Sequence, residues 1–126
     1  VTQILNSVGS CIKTEKEEDI DRATAISGSG PGYLFFMMEL MLKASESIGI
    51  EEKIAQKLII ETFAGTSELA RISKKSFREL KEDVTSYKGT TEYGINSMID
   101  NGIENAIKKG IEATFKRSKE LNANSN

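Results

Sequence analysis

The chain is constrained most by a segment that is apolar on every side of a helix, Leu34–Leu42. It directly follows the turn Ser27–Tyr33, which holds three glycines and the only proline. Because proline fits the first position of a helix and serine suits the cap before it, a helix is predicted to start at this turn. A helix without a polar face cannot lie against water. The segment is therefore predicted to lie inside a core or between two chains.

The glycine-rich turn also has the chemistry of a ligand site. Backbone amides within Gly30–Tyr33 lie at the predicted helix start, where unpaired N–H groups bind oxygen-rich ligands. The turn is not the dinucleotide-binding fingerprint, because that motif needs a preceding strand and a glycine where Tyr33 stands. By itself the turn is compatible with a ligand site or with glycines that serve only a tight backbone turn.

Length, charge and hydropathy exclude several classes of protein. A chain of 126 residues predicts a single domain. A formal net charge of -2 and no run of four basic residues argue against nucleic acid as a partner. No apolar stretch reaches about 18 residues, because Glu39 and Lys43 interrupt the longest one. These features predict a soluble, cytoplasmic protein that does not bind membranes.

Histidine and cysteine usage limits the possible chemistry. The chain has no histidine, which removes the commonest general base and the commonest metal ligand, so no metal site is predicted. The single Cys11 excludes an intrachain disulfide framework and fits a small buried apolar residue.

The N-terminal residues resemble the end of another domain. Ile4, Leu5 and Val8 have helical spacing, and Cys11–Thr14 is a candidate strand with no second strand to pair with. Because a lone strand is not stable, residues 1–15 are predicted to be the end of a missing domain and its linker. Residues 16–126 are then the domain of interest.

The remainder of the chain predicts an all-α domain of about five to six helices. The acidic stretch Glu15–Asp21 fits a solvated connection, followed by a short helix up to the glycine turn. The apolar helix is predicted to stop near Gly49, and the tail from Asn122 to be frayed. Three more helices are predicted from local signals. The first starts at Ile50-Glu51-Glu52 and continues through Ile72. The second follows the capping-box spacing of Ser76–Glu79 and ends near Asp83, and the third is capped by Thr90 or Thr91 and ends at Asn101-Gly102.

A second loop, Val84–Thr91, is rich in hydroxyl groups. Gly89 allows backbone amides to approach a ligand just where a helix is predicted to begin, which suits a small carboxylate. An ordinary capped turn explains the same residues equally well. The hydroxyl-bearing side chains are Thr85, Ser86, Tyr87, Thr90 and Thr91.

Together the two loops resemble the C-terminal domain of pyrroline-5-carboxylate reductase. The resemblance rests on Ala25–Tyr33, on Glu79–Ser86 with Gly89–Thr91, and on the closing Arg117–Leu121. It implies a helical dimerisation and substrate domain that interlocks with a second copy and follows a nucleotide-binding Rossmann domain. Residues 1–15 would be the last part of that missing domain. The implied reaction is reduction of 1-pyrroline-5-carboxylate to L-proline, a step of proline biosynthesis, with NADPH or NADH as cofactor.

The resemblance also assigns roles to the two loops. The cofactor-binding residues would be Ser27, Gly28, Ser29, Gly30 and Pro31, although the absent domain would hold most of the cofactor. The substrate-binding residues would be Ser86, Lys88, Gly89, Thr90 and Thr91. Of these, Thr91 would be catalytic, since its hydroxyl would lie beside the imine nitrogen.

One departure from the family pattern leaves two functions open. The family usually has Pro-Gly where this chain has Tyr87-Lys88, which makes the loop bulkier and adds a positive charge. The reductase assignment implies a homodimer, or a larger assembly of dimers, that acts on a small imine, with this segment inactive on its own. The alternative is a non-catalytic dimerisation or interaction module derived from the same family.

Overall fold

The computed structural model describes residues 16–124, and these residues form helices and connecting turns without a strand. The predicted strand Cys11–Thr14 and the helix around Ile4 lie outside the described residues. The all-α prediction is confirmed. In chain order the helices are α1 (Glu17–Ala23), a π-helical turn (Thr24–Gly28), α2 (Gly30–Ser47), α3 (Glu52–Ile72), α4 (Phe77–Asp83), α5 (Thr90–Asp100) and α6 (Ile103–Asn124).

Several helix ends follow the sequence signals. The capping box of α4 is complete, because the Ser76 hydroxyl accepts from the Glu79 amide while the Glu79 carboxylate accepts from the Ser76 amide. Gly49 and Gly102 follow α2 and α5 with φ of 85° and 92°. Only glycine adopts such left-handed backbone without strain, which explains why both helices end there.

Two predicted caps are wrong. Thr90 and Thr91 occupy the first turn of α5, and Gly89 is the N-cap residue, with an extended backbone. Ser29 does not take the extended conformation of an N-cap. Its φ of -92° and ψ of -12° are helical, and its N–H donates to the Thr24 carbonyl oxygen, so it closes the π-helical turn that leads into α2. The helix itself starts one residue before Pro31.

The acidic segment and the C-terminal tail also differ from the prediction. α1 already begins at Glu17, and Asp21 within it is only 5% exposed instead of solvated. α6 continues to Asn124, and the Asn122 side chain donates to the Asp21 carboxylate. α1 therefore supplies the acceptor and the end of α6 the donor of a hydrogen bond that joins the two segments.

The described residues divide into two compact units, each treated by itself. One unit contains residues 16–30 and 109–124, and the other contains residues 31–108. The glycine turn up to Gly30 belongs to the first unit and the hydroxyl-rich loop to the second. Among residues 16–124, no helix combines the length and the apolar character needed to cross a membrane.

Very little of this chain is buried within itself. Among the described residues, the buried apolar side chains are Ala25, Ala55 and Ile59, and no residue of α2 is buried. The accessible surface is 10739 Å² for a chain of 13.9 kDa, whereas a folded monomer of that mass exposes roughly 6,700 Å². Large apolar side chains are exposed on every long helix, including Leu34, Phe35, Phe36, Leu40, Ile54, Leu58, Ile60, Leu69, Ile72, Met98 and Ile107.

The described residues form no core around the apolar helix, because Phe35 and Phe36 are 68% and 60% exposed. Contiguous exposed apolar patches mark association surfaces. Of the two predicted environments, this exposure favours an interface with another chain.

We expect this chain to be stable only as an oligomer, with a dimer as the smallest form. Phe36→Glu should dissociate or unfold it, because a carboxylate would have to be buried at the interface without a partner. Sedimentation velocity at micromolar concentration, with circular dichroism for helix content, measures both effects. Lys43→Glu is the matched control, since it adds the same side chain to a polar position of α2 that is already 69% exposed. A well-folded monomeric wild-type chain would contradict the expectation.

Candidate functional site

Along the chain, a π-helical turn leads into the glycine turn. π-Helical turns are found often near functional sites. Two side-chain hydroxyls also bond to backbone carbonyl oxygens here. The Thr24 hydroxyl donates to the Ile20 oxygen at 2.8 Å, and the Ser27 hydroxyl donates to the Ala23 oxygen at 2.9 Å. The Ser27 hydroxyl oxygen can still accept a hydrogen bond, because a hydroxyl has acceptor lone pairs besides its one donor.

The start of α2 is open to an approaching ligand. Among the described residues, a Cβ placed on Gly30 or Gly32 would meet no atom within 4 Å beyond its sequence neighbours and the backbone of its own helix, so there is open space beside both glycines. Gly28 is different, since its Cβ would lie 3.3 Å from the Thr24 methyl group inside the π-helical turn. The first amides of a helix have no carbonyl partner within it. The Ser29 N–H already donates to the Thr24 carbonyl oxygen, so an oxygen-rich group placed against Ser27–Pro31 would meet the first amides of α2 as its donors.

The hydroxyl-rich loop is held at its start by α4. Lys75 pairs with Asp83 at 2.5 Å, and the Thr85 hydroxyl donates to the Lys81 carbonyl oxygen at 2.6 Å. The Thr85 hydroxyl is thus already hydrogen-bonded to the end of α4. Exposed Ser86 and the residues after it form the part of the loop that can contact a ligand.

Residues Ser86–Gly89 form a tight turn with one strained residue. The Gly89 N–H donates to the Ser86 carbonyl oxygen at 2.9 Å, and Lys88 at the third position has φ of 57°. Left-handed backbone at the third position is the feature of a type II turn, whose favoured central residues are proline and then glycine. The Lys88 N–H donates to a Glu92 carboxylate oxygen at 2.5 Å. The chain thus keeps, with Tyr87-Lys88, a turn that Pro-Gly would favour.

Gly89 leaves little room for a side chain within this turn. A Cβ at Gly89 would overlap the Ser86 hydroxyl oxygen and lie 3.1 Å from the Ser86 carbonyl oxygen. A larger residue would therefore require the Ser86 side chain to rotate and its carbonyl group to shift. The exposed Thr90 and Thr91 follow directly in the first turn of that helix, so their side chains and backbone amides lie next to the turn.

A shallow groove of about 520 Å³ lies beside this loop. The Lys88 ammonium is 5.4 Å from the centre of the Tyr87 ring, within the range of a cation–π contact, and Tyr87 is 83% exposed. The sequence prediction missed Glu92, although an acidic residue in the first turn of a helix is a common end-stabilising feature. The lining residues are Tyr87, Lys88, Glu92, Tyr93, Asn96, Ser97, Asp100 and Asn101.

The predicted residues therefore form two local clusters. Ser27–Gly30 lie in the first unit with Pro31 directly following, and Ser86–Thr91 lie together in the second. No sequence signal indicates a role for Asp21, the one buried charged residue of residues 16–124, because a short acidic side chain between other acids fits a solvated stretch. Residues 16–124 hold no group of three cysteine or acidic side chains placed to bind a metal ion.

Helices that leave their apolar faces uncovered define the chain as a helical self-association domain. A family model described as "Pyrroline-5-carboxylate reductase dimerisation" matches residues 17–121. The chain belongs to this family, as the two loops indicated.

Similar proteins cover nearly the whole chain. It is 39% identical over 119 residues to pyrroline-5-carboxylate reductase of Pseudomonas aeruginosa, covering 94% of this chain and 44% of that protein. Pyrroline-5-carboxylate reductase 2 of Bacillus subtilis is 38% identical over 118 residues, covering 94% and 42%. The chain thus spans less than half the length of these relatives.

Two solved structures have the same fold. Pyrroline carboxylate reductase of Plasmodium falciparum, a structure with NADP bound, superposes with a TM-score of 0.85 at 32% identity, over 95% of this chain and 48% of that one. The pyrroline-5-carboxylate reductase of Coxiella burnetii gives a TM-score of 0.86 at 34% identity, over 94% and 44%.

We expect Lys88→Gly to stabilise the chain by about 1 kcal/mol, because left-handed backbone costs a residue with a Cβ roughly 1–2 kcal/mol and costs glycine nothing. Part of that gain is offset by the greater freedom of glycine in the unfolded chain. Urea unfolding at a fixed chain concentration measures the change. Lys88→Ala is the control, since it removes the ammonium but keeps the strained Cβ, and it should give no gain. Equal stability of the two variants would refute the strain argument.

Proposed function

We propose that this chain is the C-terminal domain of a two-domain reductase that converts 1-pyrroline-5-carboxylate to L-proline with NADPH or NADH. Residues 16–126 supply the dimer interface and part of the substrate pocket, and residues 1–15 are the end of a nucleotide-binding domain. Support comes from the family match over residues 17–121 and from relatives whose names describe that reaction. The proposal also places the enzyme in the cytoplasm as a homodimer or an assembly of dimers.

The observation that carries the proposal is the Ser86–Gly89 turn. The loop departs from the family pattern at Tyr87-Lys88. Lys88 nevertheless has a positive φ, and the Gly89 N–H bonds to the Ser86 carbonyl oxygen, so the residues form a turn that suits Pro-Gly. This turn leaves Gly89, Thr90 and Thr91 at the exposed start of an 11-residue helix. Amides and hydroxyls at such a position can bind the carboxylate of a small cyclic imine.

The residues of the glycine turn fit the nicotinamide end of a cofactor. NADPH or NADH, when bound, supplies the hydride that the imine carbon accepts. Ser27 offers a hydroxyl oxygen, and the uncovered backbone at Gly30 and Gly32 allows a planar ring to come close without a side chain in the way. The role proposed for this turn is to hold the nicotinamide ring in one orientation.

The role proposed for Thr91 is to hold and supply a proton at the ring nitrogen. When hydride reaches the imine carbon, the C=N π electrons move to nitrogen, which takes up a proton. The exposed Thr91 hydroxyl in the first turn of α5 can hydrogen-bond that nitrogen and relay a proton from water. No histidine is needed for this step.

Lys88 has two possible parts in substrate binding. Its ammonium can pair with the substrate carboxylate, or it can remain on the exposed Tyr87 ring. The second arrangement, together with the bulkier loop, is what favours the alternative of a non-catalytic dimerisation or interaction module. In the full-length protein, Lys88→Ala should raise KM for the imine if the ammonium binds the carboxylate, and should leave KM unchanged if it does not.

We expect this chain by itself to give no turnover of 1-pyrroline-5-carboxylate with either cofactor, since the pyrophosphate of the cofactor is held by a strand-loop-helix unit in nucleotide-binding domains. The full-length protein, with its upstream domain, should oxidise NADPH or NADH in the presence of the imine. Loss of nicotinamide absorbance measures both. A folded, dimeric full-length protein without activity would favour the non-catalytic module.

In the full-length enzyme, Thr91→Val should lower kcat by roughly a hundredfold or more. The change keeps the shape of the side chain but removes a hydrogen bond made at the reacting nitrogen, and such bonds contribute about 2.7–4 kcal/mol in the transition state. Steady-state kinetics gives kcat, and sedimentation should show an intact dimer.

The matched control is Thr66→Val, the same substitution at an exposed position of α3 outside both loops. It should leave kcat unchanged. If Thr91→Val also retains wild-type kcat, Thr91 is a structural residue of the α5 start, and the catalytic assignment is wrong.

A further inference from the structure

Asp21 is the one buried charged residue among residues 16–124, and both hydrogen bonds to it come from the far end of the chain. The Ser118 hydroxyl and the Asn122 amide donate to the same carboxylate oxygen, at 2.6 and 2.5 Å. The two donors are four residues apart on α6, so they face α1 together. A carboxylate is buried at high cost unless such hydrogen bonds compensate it.

This cluster lies directly before the glycine turn. Asp21 is three residues before Thr24, where the π-helical turn begins, and that turn ends at Gly28. Hydrogen bonds restrain the backbone between Asp21 and the glycine turn. The Thr24 and Ser27 hydroxyls donate to carbonyl oxygens of α1, and the Ser29 amide donates to the Thr24 carbonyl oxygen. A shift of α1 relative to α6 would therefore move Ser27 and Gly28 with it.

We propose that Asp21, held by Ser118 and Asn122, is a positioning residue for hydride transfer. It sets the place of the Ser27–Pro31 segment against the nicotinamide ring, and it touches neither cofactor nor substrate. This inference rests on the proposed function and adds three residues that neither loop contains. Its physical basis is that hydride transfer depends steeply on the distance and orientation of the two reacting carbons.

The test uses the full-length reductase with cofactor carrying deuterium at the transferred position. Asp21→Leu removes the acceptor for both donors, and Ser118→Ala removes one donor while leaving the Asn122 bond in place. We expect kcat to fall about tenfold or more for Asp21→Leu and less for Ser118→Ala. In both variants the deuterium isotope effect on kcat should rise, because the chemical step becomes slower relative to product release.

The isotope effect separates positioning from stability. A variant that only unfolds more easily loses active enzyme, and its remaining molecules keep the wild-type isotope effect. Asp19→Leu is the matched control: it is the same substitution on α1, at a carboxylate that is 41% exposed and paired with Arg22, and it should leave both quantities unchanged.

Either of two results would overturn the proposal. One is a folded Asp21→Leu or Ser118→Ala enzyme with wild-type kcat and isotope effect, and the other is lost activity with an unchanged isotope effect. Should Asp21→Leu fail to fold, the milder Ser118→Ala decides between these results. An inactive wild-type enzyme would instead refute the proposed function, and this inference with it.

Discussion

Burial of apolar surface is the constraint on which the rest of this structure depends. In the described residues the chain covers only a few side chains of its own, while Phe35, Phe36 and many aliphatic residues of the long helices remain exposed. Each buried Å² of such surface contributes about 25 cal/mol. Association with a second copy would cover this surface, which agrees with the chain's membership in a dimerisation family.

Local signals define where these exposed helices begin and end. Their ends are specified locally, by the capping box at Ser76 and by left-handed glycines at Gly49 and Gly102. Local signals of this kind need no core, because each satisfies backbone groups within a few residues. The turns that would contact cofactor and substrate are held in the same local way. The site can therefore be arranged before its surroundings are complete.

The Ser86–Gly89 turn places residues with a Cβ where proline and glycine would be favoured. Tyr87 and Lys88 are poor choices for such a turn, and Lys88 carries the strain as a positive φ. Its amide is held by Glu92, and Gly89 admits the Ser86 side chain that any Cβ would displace. Backbone strain of this kind clusters at functional sites. The Tyr87-Lys88 pair therefore adds charge and bulk within a turn whose backbone suits Pro-Gly.

The sequence by itself determined the helical class, the two loops and most helix ends, because periodicity, glycines and the capping box act over a few residues. It also predicted that the segment Leu34–Leu42 could not face water, but it left open what would cover it. The tertiary structure decided that no residue of α2 is buried among residues 16–124, since burial depends on contacts between residues distant in sequence. The burial of Asp21 is the clearest example of what sequence patterns alone could not predict. Its burial depends on Ser118 and Asn122, which are 97 and 101 residues away, and no local pattern connects residues so distant along the chain.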